Sequence, residues 1–194
     1  MTIYDISVEI TAAPVYPGDP ETHIEKIFDM DIGDSVNVSA LTMSLHTGTH
    51  IEAPLHFIKN GNSISDIRLD SFMGECAVVA CSGYSGVLTG ADIDELVPEG
   101  ARRVLFKTLG NVKLSKSAVL SLISMGVTMV GIDAQSISEA DEDAQIHKHL
   151  LSAGIIILEG INLRHVQSGE YTLMALPIKL NGTEATPCRA ILMK

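Results

Sequence analysis

The chain has 194 residues, 46% of them hydrophobic, and carries 24 acidic against 13 basic side chains for a formal charge of −11. That length and apolar content supply the core of one domain, residues 1–194, and exclude a disordered chain. The negative charge is repelled by phosphate backbones and anionic headgroups, so nucleic acid and membrane surfaces are excluded as partners.

Residues 3 to 10 alternate Ile3, Asp5, Ser7, Glu9 against Tyr4, Ile6, Val8, Ile10, the period of a strand with one buried face. Tyr16-Pro17-Gly18-Asp19-Pro20 predicts a tight type II turn, because proline presets φ and glycine accepts a positive one. Tyr16 either packs that turn or lines a pocket. Residues 21–35 are polar and acidic and read as a surface connection or an edge strand. Val36 to Leu45 is β-rich and leads into a histidine-dense segment, which places that segment at a strand end.

Further on, Lys59-Asn60-Gly61-Asn62 is a turn by composition and Cys76 to Cys81 a short strand. A brief helix follows, with Thr89 and Asp92 spaced as a capping box. Arg102 to Thr108 predicts a strand, Ser117 to Met125 a helix stopped by Gly126, and Val127 to Asp133 a buried strand. The same grammar recurs in a helix over 143–153, a stop at Gly154 and a buried strand from Ile155 to Glu159. Rises of 1.5 Å per helical residue and about 3.3 Å per strand residue let His147 and Glu159 finish at one end of the sheet. His149 lies two positions from His147, roughly 200° around the helix, so only one of them can face a site there. Tyr171 to Leu180 and Cys188 to Met193 close the chain as strands, joined by a loop that runs from Asn181-Gly182 to Pro187. Strands outnumber helices, which points to an α/β domain with a mixed sheet and a few covering helices.

No apolar run approaches the length of a membrane span, and Met1-Thr-Ile-Tyr-Asp5 has neither a basic region nor an apolar signal core, so a cytoplasmic location is expected. Cys76, Cys81 and Cys188 are odd in number, mostly in apolar surroundings and without a CxxC, as reduced structural thiols are.

The chemistry concentrates in His46-Thr47-Gly48-Thr49-His50-Ile51-Glu52-Ala53-Pro54-Leu55-His56-Phe57. His46, His50, Glu52 and His56 share one parity, while the odd positions carry methyls or larger apolar groups, so an extended chain faces the two sets oppositely. A glycine between two β-branched threonines disfavours a helix. A fully extended chain would hold His46 and His50 roughly 13 Å apart, too far for ligands about 2 Å from one ion. The segment must bend, and Gly48 and Pro54 are placed to allow it. Imidazole and carboxylate donors without a nearby cysteine suit a working zinc or manganese site better than a closed structural zinc.

This segment resembles the signature H-x-G-T-H-x-D-x-P-x-H of the bacterial kynurenine formamidase and "putative cyclase" family of metal-dependent hydrolases. Asp5-Ile6-Ser7, Tyr16 to Pro20, Gly131-Ile132-Asp133, His147 to Glu159, and Pro177 to Leu180 through Pro187-Cys188-Arg189 are similar to the family's other blocks, in the same order along nearly the whole chain. The resemblance implies a swivelling β/β/α fold and a site for one or two Zn2+ ions, with Mn2+ as an alternative. It implies His46 and His50 as ligands of a first ion, His147 and Glu159 as ligands of a second, Glu52 as the bridging carboxylate and His56 as the proton shuttle. It further implies a homodimer or homotetramer, often with a neighbouring chain closing the active site. Glu52 stands where the signature has Asp, and the extra methylene carries its carboxylate about 1.5 Å outward, which leaves open whether one ion or two is bound.

The expected activity is hydrolysis of a carbon–nitrogen bond in a small-molecule amide, of the N-formylkynurenine kind, with Tyr16 and Phe57 as one wall for the substrate. A hydrolase or cyclase working on a cyclic amide or other ring is the first alternative, and a non-catalytic metal-binding module on the same fold is the second. His23, His149 and His165 are expected outside the site. Asp133 reads as a strand-end acid or an orienter of a ligand histidine, and Ser136 and Thr49 as donors near the ions.

Overall fold

Residue parity along four parallel strands organises the protein into two apolar layers. The computed structural model describes residues 1–138 and 143–194. In chain order the strands and helices are β1 (Ile3–Asp5), β2 (His23–Phe28), β3 (Val38–Thr42), β4 (His50–Glu52), β5 (Met73–Ala80), β6 (Gly86–Leu88), α1 (Gly90–Leu96), β7 (Arg103–Lys107), β8 (Val112–Leu114), α2 (Lys116–Ser124), β9 (Met129–Ile132), α3 (Asp143–Ser152), β10 (Ile156–Glu159), β11 (Gly169–Pro177) and β12 (Ala185–Met193).

The main sheet runs β1-β12-β11-β5-β7-β9-β10-β4, and β4 also pairs with β12. The sheet therefore closes on itself as a barrel, with β1 on the remaining edge of β12. Strands β5, β7, β9 and β10 are mutually parallel, whereas β4, β11 and β12 pair antiparallel. The parallel strands are buried on both faces, as their unbroken apolar sequences require.

Cys76, Val78, Leu105, Met129, Ile156 and Leu158 fall in one core cluster with Ile51 and Leu173, inside the barrel. Their neighbours Ala77, Val79, Val104, Phe106, Val130, Ile132 and Ile157 fall in the other, with Ile93, Leu122, Ile146 and Leu150 of the helices. The barrel is thus filled by one parity and sheathed by the other. Each helix begins or ends on a local signal. Thr89 Oγ1 accepts from Asp92 N while Asp92 accepts from Thr89 N, a capping box at α1, and Gly154 follows α3 with φ +78°.

Three expectations change. The first strand ends at Asp5; a single bridge from Ser7 to Ile161 and a 3-10 turn at Ile10–Ala12 replace its second half. Val36 to Leu45 does not enter the main sheet. Its strand β3 pairs with β2 in a separate hairpin whose strand residues are all exposed, so three residues separate β3 from the first histidine of the dense segment. The mixed sheet is also closed, and a parallel pair β6–β8 that sequence patterning did not mark lies apart from it.

The cysteines are free, and burial pushes the thiols of Cys76, Cys81 and Cys188 up to about 12. Alkylation by iodoacetamide at pH 8 is expected to run on the order of 10³-fold slower in the native protein than in denaturant, rising tenfold per pH unit as thiolate appears. Mass spectrometry of the three cysteine peptides checks this.

Candidate active site

β4 is three residues long and hydrogen-bonded on both sides. Its neighbour β10 sets Glu159 opposite His50 and Ile157 opposite Glu52, and β12 sets Pro187 opposite His50 and Ala185 opposite Glu52. Between these partners Ile51 points into the barrel and is fully buried. His50 and Glu52 face the other way, beneath α3, where each is 2% exposed. The chain reaches β4 through a bend at Gly48, φ +72°, and leaves it through a 3-10 turn begun by Pro54. Both are the positions where the donor spacing demands a bend.

The bend is held from outside the segment. Thr49 Oγ1 donates to Gly160 O at 2.6 Å and accepts from Val8 N at 2.8 Å. Thr49 therefore straps the loop to the N-terminal segment and the end of β10 and is not a donor at the site. Gly160 has φ +65°, and a Cβ there would stand 2.2 Å from Gly48 O.

His46, His50 and Glu52 offer donor atoms within 4.8 Å of one another, and so do Glu52, His147 and Glu159. Glu52 belongs to both groups. Its Oε1 lies 3.3 Å from His46 Nδ1 and 3.7 Å from His50 Nε2, and its Oε2 lies 3.5 Å from His147 Nε2. Glu159 Oε1 is 3.1 Å from His147 Nε2 and accepts from Ile137 N at 2.7 Å, so the loop after β9 fixes that carboxylate. Of the two helical histidines, His147 is 2% exposed in this cluster, and His149 turns back to the carbonyl of Gln145.

Burial disfavours charge on His50, but the Glu159 and Glu52 carboxylates outweigh it and hold the imidazole up to about 10. Burial likewise opposes a charge on Glu52, yet the histidines, His46 and His50 first, hold its carboxyl well below the usual range. The pocket is thus built to share positive charge. His50 Nδ1 meets its own loop at Gly48 O, 3.1 Å away, which turns Nε2 inward. Among the described residues, that Nε2 and Glu52 Oε2 are buried without a hydrogen-bond partner, a cost of about 1–3 kcal/mol each if left so. A divalent cation between these donors satisfies both, and nitrogen and oxygen ligands without sulfur fit zinc or manganese.

His56 stands at the mouth, 28% exposed, with Nε2 3.5 Å from Glu52 Oε1. Burial lowers its pKa against the pull of Glu52, which favours the neutral ring. The cavity is about 220 Å3, and Tyr16, Phe57, Asp19, Gln135 and Ser136 complete its wall. Gly18, φ +98°, and the bond from Asp19 N to Tyr16 O form the expected turn, and Gln135 Nε2 donates to Pro14 O to hold it over the site. Phe57 packs its ring 4.9 Å from that of His147.

Asp133 has a different task. Its carboxylate accepts from Thr108 N, Thr108 Oγ1 and Leu109 N, capping the loop after β7. His23 and His165 are exposed and away from the cluster. Glu184, missed in the sequence, lies 3.4 Å from His46 Nε2; nothing local marks it, because only the β4–β12 pairing brings it there. A larger crevice of about 500 Å3 beside β5 and β11 holds no comparable donor group among the described residues.

Residues 4–139 match the family described as "Putative cyclase". The chain is 38% identical over 202 residues to a kynurenine formamidase of Erythrobacter litoralis (strain HTCC2594), covering 98% of this chain and 93% of that one. A solved structure of a potential metal-dependent hydrolase with cyclase activity is 34% identical, superposes with a TM-score of 0.86 and covers 98% of this chain and 96% of its own. Isatin hydrolase A from Labrenzia aggregata, 23% identical, shares the fold with a TM-score of 0.85 over 98% of this chain and 93% of its own. The protein is thus an enzyme of the metal-dependent hydrolase class. The chain belongs to the "Putative cyclase" family.

Gly160→Ala is expected to lower stability by roughly 2–4 kcal/mol, since it adds a backbone collision to an unfavourable φ. Gly154→Ala, at φ +78° with open space around its Cβ, should cost only about 1 kcal/mol from the φ alone. Urea unfolding midpoints of the two variants separate these terms.

Proposed function

We propose that the protein hydrolyses the carbon–nitrogen bond of a small formamide, of the N-formylkynurenine kind, with residues 1–194 acting as one domain. The observation that carries this reading is the pair of donor groups sharing Glu52, with the His56 imidazole at their edge, 3.5 Å from Glu52 Oε1. The 38% identical kynurenine formamidase supports the substrate class, and a 220 Å3 cavity suits a small ligand.

His46 and His50 would hold one ion, His147 and Glu159 another, and Glu52 would bridge them; Zn2+ is the first choice and Mn2+ the second. When bound, the ions supply positive charge that polarises a carbonyl and makes water a stronger acid. His56 takes a proton from the attacking water at Nε2 and returns it to the departing nitrogen, so that water adds across the amide, the C–N bond breaks, and formate and an amine leave. Phe57 and Tyr16 wall the cavity against bulk water and flank an aromatic substrate.

His56→Ala is expected to lower kcat by roughly 10²–10⁴-fold while bound zinc, measured by elemental analysis, stays at the wild-type level. Removing the metal with a chelator should abolish turnover of N-formylkynurenine, and adding Zn2+ should restore it. If metallated protein turns over a cyclic amide but no formamide, the ring-opening alternative replaces this reading; full metal occupancy without turnover of either leaves a non-catalytic module.

The protein is also proposed to be a homodimer or homotetramer. The β2–β3 hairpin pairs Ile24 with Leu41 on one face, each 52% exposed, and Phe28 with Val38 on the other, 47% and 41% exposed, apolar surface suited to a second copy. Ile24→Asp with Leu41→Asp is expected to shift sedimentation toward the monomer without changing the far-ultraviolet circular dichroism.

A further inference from the structure

Glu184 lies at the lip of the site and belongs to neither donor group. Its backbone is fixed, because Ala53 N donates to Glu184 O at 2.8 Å and Ile64 N donates to Thr183 O at 3.0 Å, next to the pairing of Ala185 with Glu52. Its side chain is 38% exposed and reaches His46 Nε2 at 3.4 Å, while the other ring nitrogen of His46, Nδ1, faces Glu52 Oε1 at 3.3 Å.

A neutral imidazole carries one N–H and one lone pair. A carboxylate at each nitrogen satisfies only the protonated side; a lone pair aimed at the second carboxylate is repelled unless a cation lies between. Glu52 Oε1, which is also 3.7 Å from His50 Nε2, stands on the Nδ1 side of His46, whereas Glu184 faces Nε2 and belongs to neither donor group. His50 meets the same requirement with a backbone acceptor, Gly48 O, and presents Nε2 inward. The two histidines of one group thus offer opposite ring nitrogens, each selected by a different acceptor.

We propose that Glu184 is a positioning residue: by accepting the Nε2–H of His46 it fixes the tautomer and ring orientation that leave Nδ1 as a metal ligand. This rests on the assignment of His46, His50 and Glu52 as ligands made above. Such carboxylate–histidine pairs raise the basicity of the ligand and stop the ring from turning away. His46 needs one more than its partners do, its side chain being 18% exposed where those of His50 and Glu52 are 3%, with its ring held between those of His56 at 4.3 Å and His50 at 5.1 Å.

Zn2+ binding to the full chain, measured by competition with a chromophoric chelator, tests this in wild type, Glu184→Ala, Glu184→Gln, His46→Ala and the double variant His46→Ala with Glu184→Ala. Glu184→Ala is expected to weaken one of the two ions by roughly 10- to 100-fold and to leave the other within about threefold; if wild type takes up a single ion, the loss falls on that ion. Glu184→Gln should recover most of the affinity, since its amide oxygen still accepts the N–H. In the His46→Ala background, Glu184→Ala should add nothing, and the visible spectrum of the Co2+-loaded Glu184→Ala protein should differ from wild type. Equal weakening of both ions, an undiminished effect in the His46→Ala background, or wild-type affinity with an unchanged Co2+ spectrum each overturn the role of Glu184. Wild-type protein that binds no Zn2+ overturns the ligand assignment and this proposal with it.

Discussion

The structure depends on a three-residue strand clamped on both edges. With β10 on one side and β12 on the other, β4 has no freedom to slide, and a one-residue slip would exchange Ile51 for its charged neighbours inside the barrel. Burying Glu52 or His50 there unpaired would cost several kcal/mol. The register is therefore enforced by what must not enter the core as much as by what must enter the site. The same clamp decides which side of the barrel carries chemistry, since the outward parity of β4 and β10 meets α3.

Electrostatics explains why this face is worth its cost. Two carboxylates and three imidazoles lie within a few ångströms in a nearly dry space, an arrangement that hydrogen bonds alone satisfy incompletely. Groups so placed favour a shared cation, and a divalent ion provides the missing charge. The longer glutamate at position 52 remains within reach of both donor groups.

Much of the site was legible because its signals are local. Parity placed His50 and Glu52 on one face, the need to bend singled out Gly48 and Pro54, and a helix ended by Gly154 before an acidic strand end put His147 and Glu159 at one end of the sheet, while the family resemblance chose His147 over His149. What was illegible depends on partners distant in sequence. Closure of the sheet is decided by β4 meeting β12, which no pattern within either strand announces. Glu184 reaches His46 through that same pairing. Thr49 looked like a donor near the ions and Asp133 like either a strand-end acid or an orienter of a ligand histidine; both bond backbone groups of neighbouring loops. The β2–β3 hairpin kept the β-rich composition expected of 36–45 but stands off the barrel, because its apolar residues are not sorted to one parity.

Closure of the barrel also has a temporal consequence. The strand that completes it, β12, follows the other eleven strands in sequence, and it joins β1, β11 and β4, so residues translated early await residues that emerge much later. During synthesis the histidine segment leaves the ribosome without the wall that orients it, and loop closure over more than a hundred residues makes the final zipping slow relative to local helix formation. Any ion held with native geometry must therefore await the step that joins β4 to β12 and closes the main sheet.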